Sequence, residues 1–252
     1  MEICVYEQFA ELEENHFWFK GRRSIFFDQI GKHLNNQKAL DILEIGCGTG
    51  GMLSPLAQFG TVTGIDIADD CMRYCYSRGF PQMAVGSGDA LPFADNSFDL
   101  IALFDVIEHI PDDTAVLREV QRVVKPDGIV FLSVPAYQFL FSQNDRLVHH
   151  QRRYTRGQLC NVIEKAGLTP AKATYFNTFL FPLILPVVLV LKLKEALLGL
   201  PDEQTNLTHQ FFKPINDIFT AIMSGERWLL RHMDFPFGHS LIAIARAQKT
   251  KG

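Results

Sequence analysis

The chain has 252 residues, 47% of them hydrophobic, which is enough for one large core or a core with an insertion. Its formal charge of −4 excludes the broad basic face of most nucleic-acid binders, so no nucleic-acid partner is expected. The five cysteines (Cys4, Cys47, Cys71, Cys75 and Cys160) contain no C-x-x-C pair and suit a reducing, cytoplasmic setting with thiols in packing roles.

Residues 1–38 read as helical. They open with acids and no apolar stretch of the secretory kind, and carry an aromatic knot, HFWF (16–19), followed by Lys20, Arg22 and Arg23. Short apolar runs then alternate with helical patterns. "DILEIG" (41–46) is a buried-strand signal ending in glycine, and "TVTGIDI" (61–67) is a second strand ending in an acid. "GMLSPLAQF" (51–59) suits a helix, as does "DDCMRYCYSRG" (69–79), with an N-cap candidate at one end and glycine at the other. "QMAV" (82–85), "FDLIALF" (98–104) and "GIVFLSV" (128–134) give three more strands. "PDDTAVLREVQRVVKPDG" (111–128) reads as a helix, with proline and acids in its first turn and a Pro-Asp-Gly stop. A further helix (155–168) and two strands (171–176 and 239–247) complete the pattern. Repeated βαβ units predict an α/β, Rossmann-like, mostly parallel sheet with helices on both faces.

The stretch "EIGCGTGG" (44–51) holds two glycine patterns. Gly46, Gly48 and Gly51 satisfy the G-x-G-x-x-G of dinucleotide sites, while Gly46, Gly48 and Gly50 satisfy the G-x-G-x-G of S-adenosylmethionine (SAM) sites. Asp66 ends the second strand, where either ligand offers ribose hydroxyls. Glu44 separates the two readings. Inside the strand end it would repel a pyrophosphate but attract a ligand carrying a sulfonium and an ammonium. Asp89 follows the third strand and can accept from an adenine amino group, with the Ala90 N–H as a donor.

Together "LEIGCGTG", "GIDIA", "GDALPFADNSFDLI", "VIEHIPD" and "LREVQRVVKPDGIVFLSVP" resemble the class I SAM-dependent methyltransferases, strongly over residues 40–135 and more weakly over 136–176. The resemblance implies a seven-stranded sheet with one antiparallel strand, SAM as cofactor and S-adenosylhomocysteine as product. It implies a cofactor set of Glu44, Gly46, Cys47, Gly48, Gly50, Asp66, Ile67, Asp89, Ala90 and Phe104. An arginine upstream of the loop, Arg22 or Arg23, would meet the methionine carboxylate. The implied organisation is a helical cap over the cofactor (1–38), a SAM-binding core (39–176), an apolar helical insertion (177–238), and the last strand with its tail (239–252).

Asp105, Glu108 and His109 follow the fourth strand, and His150 precedes Thr155 by five residues. His109 and His150 are the expected catalytic pair, since an acceptor hydroxyl needs a destination for its proton. The D-x-x-E-H spacing is similar to an E-x-x-E-H arrangement in ubiquinone-pathway O-methyltransferases and in enzymes methylating small-RNA termini. That arrangement implies a divalent metal, but the short Asp105 favours a metal-free tip. Arg146, Arg152, Arg153 and Arg156 form a guanidinium-rich loop suited to phosphate, carboxylate or a sugar acid, with a plain solvated loop as the alternative.

"FLFPLILPVVLVL" (179–191) has thirteen residues without a polar side chain, interrupted by Pro182 and Pro186, too short to span a membrane. It reads as a cover over the acceptor pocket or a homodimer contact, with shallow membrane contact left open. The expectation is a cytoplasmic SAM-dependent O-methyltransferase for a small-molecule, glycan or lipid-linked acceptor. The alternatives are a SAM-binding module without turnover and an NAD-dependent oxidoreductase.

Overall fold

Strands β1 (Leu40–Ile45), β2 (Gly60–Asp66), β3 (Met83–Val85), β4 (Phe98–Phe104), β5 (Val124–Pro135), β6 (Leu168–Phe176) and β7 (Ser240–Ala247) form one sheet in the order β3-β2-β1-β4-β5-β7-β6. These elements come from a computed structural model that describes residues 10–34, 37, 39–198 and 211–247. The pairs from β3 across to β5 are parallel, and β7 runs antiparallel to both β5 and β6. The central strands are buried almost without a break, as expected where helices cover both faces. Cys4, residues 1–9 of the expected cap and residues 199–210 of the expected insertion lie outside the described residues.

The helices are α1 (Phe17–His33), α2 (Leu53–Ala57), α3 (Met72–Ser77), α4 (Asp113–Val123), α5 (Gln143–Leu147), α6 (Arg156–Lys165), α7 (Phe181–Leu198) and α8 (Lys213–Leu230). Two boundaries differ from the sequence pattern. The helix expected over 111–128 ends at Val123, and Val124 already pairs with Phe98 in β5. Pro126 biases Lys125 toward extended backbone, and the Pro-Asp-Gly stop becomes a register shift within the strand. Strand β6 begins at Leu168 rather than 171. It tolerates Pro170 because it is an edge strand with a register shift at that point.

The chain moves outward from β1 through β2 to β3, then crosses back to β4 on the other side of β1. That switch point leaves a crevice above the carboxyl ends of β1 and β4. Helix α1 covers it by packing along α8, with Gly21 so close to Met223 that a Cβ there would lie 2.6 Å from its sulfur. Phe17 stacks edge-on against Phe219, and Arg231 pairs with Asp28. Buried Glu226 of α8 accepts from the amides of Thr178 (2.6 Å) and Phe179 (2.8 Å), which fixes the entry to α7. The described residues of the expected insertion therefore form two helices, one of them packed on the N-terminal helix.

Candidate active site

The glycine loop leaves β1 with Gly46, Gly48 and Gly50 all at positive φ (72°, 49° and 80°). Gly46 also lies against Val106, where a Cβ would come within 2.6 Å of Cγ2. Asp66 holds the loop from β2, its Oδ2 accepting from the Gly48 amide (2.9 Å) and its Oδ1 from Ala68 (3.0 Å). Glu13 closes the outer side, accepting from the Thr49 hydroxyl (2.9 Å) and pairing with Arg78. Its carboxylate rests on Gly51, where a Cβ would lie 2.0 Å from Oε2.

A cavity of about 1110 Å³ runs from this loop across the sheet's carboxyl edge to the wall formed by α7. Arg22, Arg23, Glu44, Gly46, Cys47, Gly48, Asp66, Ile67, Asp89, Phe104, His109 and His150 all line it. Gly50 and Ala90 do not. Gly50 makes the turn above Leu53 and Cys75, and the Ala90 amide is committed to the Ser87 carbonyl (3.2 Å). Ile67 is 74% exposed at the rim, an apolar surface beside the ribose-binding candidate Asp66.

Glu44 is buried at the end of β1, and its Oε2 has no hydrogen-bond partner. Burial raises its pKa well above the usual carboxylate value. The Cys75 thiol and the Asp66 and Glu13 carboxylates push the same way, against Arg22. Arg22 itself pairs with Asp105 and stacks over Phe19. Asp105 adopts φ +56° just past β4 and is tied down by Ser133, whose hydroxyl donates to Oδ1 (2.8 Å). Asp105 therefore faces Arg22.

Glu108, His109 and His150 do converge: one potential ligand atom from each lies within 4.8 Å of the others. The two imidazole rings meet edge to face at 4.6 Å, and His150 Nε2 is 3.9 Å from Glu108 Oε1. Neither Glu108 oxygen has a hydrogen-bond partner. Burial first, and the nearby Asp105 second, hold its pKa far up. Burial, then the His150 neighbour, push His109 down to about 4, so its ring is neutral near pH 7. His150 Nδ1 lies 2.8 Å from Asp145 Oδ1, an orienting contact that leaves Nε2 toward the cluster. Burial works against the Asp145 charge, but His150 and Arg153 outweigh it and hold the carboxyl low.

The arginine-rich loop does not gather into an anion site. Arg152 pairs with Asp113, Arg153 with Asp145 and Arg146 with Glu195, while Arg156 is exposed. The sequence reading also missed lining residues. Glu13 meets the loop at Thr49 across 36 positions of chain and meets Arg78 across 65, and no local pattern marks it. Asn177, fully buried between β6 and α7 at φ +54°, has neither amide atom hydrogen-bonded and lines the cavity with His239 and Ser240. Trp18, from the HFWF knot, packs edge-on against His239.

A methyltransferase-domain family model matches residues 43–132. The chain is 30% identical over 157 residues to a demethylmenaquinone methyltransferase of Lysinibacillus sphaericus, covering 54% of this chain and 67% of that protein. It is 30% identical over 156 residues to a ubiquinone biosynthesis O-methyltransferase of Methylobacterium nodulans, covering 54% and 63%. This chain thus spans about three-fifths of the length of the first curated relatives it matches. A SAM-dependent methyltransferase of Thermotoga maritima shares the fold at TM-score 0.58, covering 98% of this chain and 96% of that one at 15% identity.

Proposed function

The chain belongs to the class I SAM-dependent methyltransferases, and from that premise we propose that it methylates a hydroxyl of a small or lipid-linked acceptor. The observation that carries the cofactor reading is Glu44. A buried carboxylate with a free oxygen beside a glycine loop is costly when empty and favourable beside a cationic ligand. A pyrophosphate would meet repulsion there. When bound, SAM supplies the methyl group and leaves as S-adenosylhomocysteine.

The chain's own residues orient and deprotonate. Asp66 receives the ribose hydroxyls while holding Gly48, Ile67 and Asp89 flank the adenine, and Glu44 faces the charged methionine end. Arg22 or Arg23 takes the carboxylate: Arg22 also pairs with Asp105 and Arg23 with Glu14, and the Nε of each is left without a partner. The acceptor lies beyond Phe104 toward Asn177, and the O–H proton passes to the neutral His109 or to His150 as the oxygen forms its bond to carbon.

A specific observation supports a second reading of the tip. Glu108 with two unpartnered oxygens, neutral His109, and His150 oriented by Asp145 fit a divalent cation, which would lower the pKa of a coordinated hydroxyl. Labelled SAM offered with phenolic, glycan and polyprenyl-linked alcohols tests the proposal. Transfer to one class supports it. Tight SAM binding with no transfer to any of them would favour the binding-module reading.

A further inference from the structure

Helix α7 is apolar on all its faces over residues 181–191, a character found in buried or lipid-contacting helices, yet one side is bare. Leu183, Val187 and Val190 are exposed at helical spacing, and Leu193 and Leu197 continue the surface toward its end. Helix α8 adds a second bare stripe at Ile215, Ile218, Ile222 and Leu229, opposite the face it packs on α1. Phe212, just before α8, is 83% exposed. An apolar surface of this extent marks a contact.

Two further observations say what covers it. Leu183 and Val187 are exposed and also line the cavity, so the acceptor end of the cavity opens through this surface. On these two helices Lys213 is paired with Asp217, Glu195 is paired with Arg146, and Arg227 donates to Ser24 on the α1 side, so the cations with no acid paired to them among the described residues are Lys192 and Lys194 of α7. An anionic lipid surface would complement them.

We infer that α7 and α8 lie in the plane of an anionic membrane surface and that the acceptor's hydrocarbon chain enters between Leu183 and Val187. No described helix is long and apolar enough to cross a membrane, which fits a helix lying at the interface. The second clause rests on the reading of the cavity as an acceptor site, whereas docking itself does not.

Flotation of the whole chain with phosphatidylcholine vesicles, with and without phosphatidylglycerol, tests it. Binding is expected to the anionic vesicles and to fall only in part at high salt, since burial of apolar surface is not screened. Val190→Glu with Leu193→Glu should lower the bound fraction about tenfold or more. Neither residue lines the cavity, so S-adenosylhomocysteine affinity and melting temperature should hold. Wild-type protein left unbound by anionic vesicles overturns the docking. So does a stable dimer in sedimentation that the same double variant splits. Loss of S-adenosylhomocysteine binding in the wild type would instead strike the cofactor reading and leave the vesicle result standing.

Discussion

At the β1–β4 end, the cavity walls are backbone amides and carboxylates at strand ends and the glycine loop: Gly46 to Thr49, Gly51, Asp66, and Glu44 with an unpartnered oxygen. At the α7–α8 end they are apolar side chains, mostly Leu183, Ile184, Val187, Val188 and Leu191 of α7 with Phe219 of α8, and Leu183 and Val187 belong to the bare surface as well. The first end concentrates buried charge at a cost in stability, recovered by a cationic ligand. The second leaves apolar area uncovered, a cost recovered by a contact. Phe104, His109 and His150 lie where the two meet. Function on this account requires both halves to be filled, and each half can be broken separately.

The largest effect is expected at the junction. His109→Ala should lower turnover by about 10²-fold or more while S-adenosylhomocysteine affinity stays put, measured by steady-state kinetics and calorimetry. EDTA treatment followed by metal repletion separates the two readings of the tip, because activity follows the metal only if Glu108, His109 and His150 hold one.

Glu44→Gln comes next and sharpens the contrast at the cofactor end. Its folded pKa lies above the ordinary value of 4.5, so the native state keeps a proton that the unfolded chain gives up. The native state therefore loses stability as pH rises from 4.5 toward the folded pKa. The variant removes that cost. The ligand-free protein should gain about 0.5–2 kcal/mol at neutral pH in chemical denaturation. SAM binding should weaken by about 1–3 kcal/mol. In the wild type, binding should release a proton, seen as a dependence of the heat on buffer ionisation enthalpy and lost in the variant.

Asn177→Ala probes the other half. Its unpartnered amide is positioned for an acceptor's polar head, so acceptor KM should rise by about 2–10-fold, a net hydrogen bond's worth, with kcat and SAM affinity nearly unchanged. An unchanged acceptor KM would remove Asn177 from recognition.

The same halves differ in how far the sequence exposes them. The cofactor end is legible because its parts are local: glycines beside a strand, an acid ending the next strand, and a polar tip after β4. Glu13, Asn177 and His239 are not, because each reaches the cavity by long-range packing of helices and chain reversals. Asp105 shows the same limit. Its spacing places it with Glu108 and His109, but a left-handed backbone turn and Ser133 direct it to Arg22. The Ala90 amide closes a turn with Ser87, a bond that spacing alone does not reveal. The apolar run over 179–191 marks α7, but periodicity alone does not say which side faces the cavity.

The smallest effect expected is on pH-dependent stability. Burial, and next the Arg153 charge, push His239 down to about 3, and burial pushes His109 down to about 4, both from an ordinary 6.5. Below pH 6.5 the unfolded chain takes up protons that these native rings refuse, so stability is full above that pH and declines as pH falls toward 4. The raised Glu44 and Glu108 act the opposite way over this window, so the histidine share is read as a difference: between pH 7 and pH 5 in urea denaturation, wild type should lose on the order of 1 kcal/mol more than His239→Gln.

The central claim is that this cavity is built for a cationic adenosyl ligand. Calorimetric titration of the wild-type protein with SAM and, separately, with NADH tests it most directly. The account predicts saturable one-to-one binding of SAM with release of a proton, and no binding heat from NADH. Saturable NADH binding with no response to SAM would contradict it.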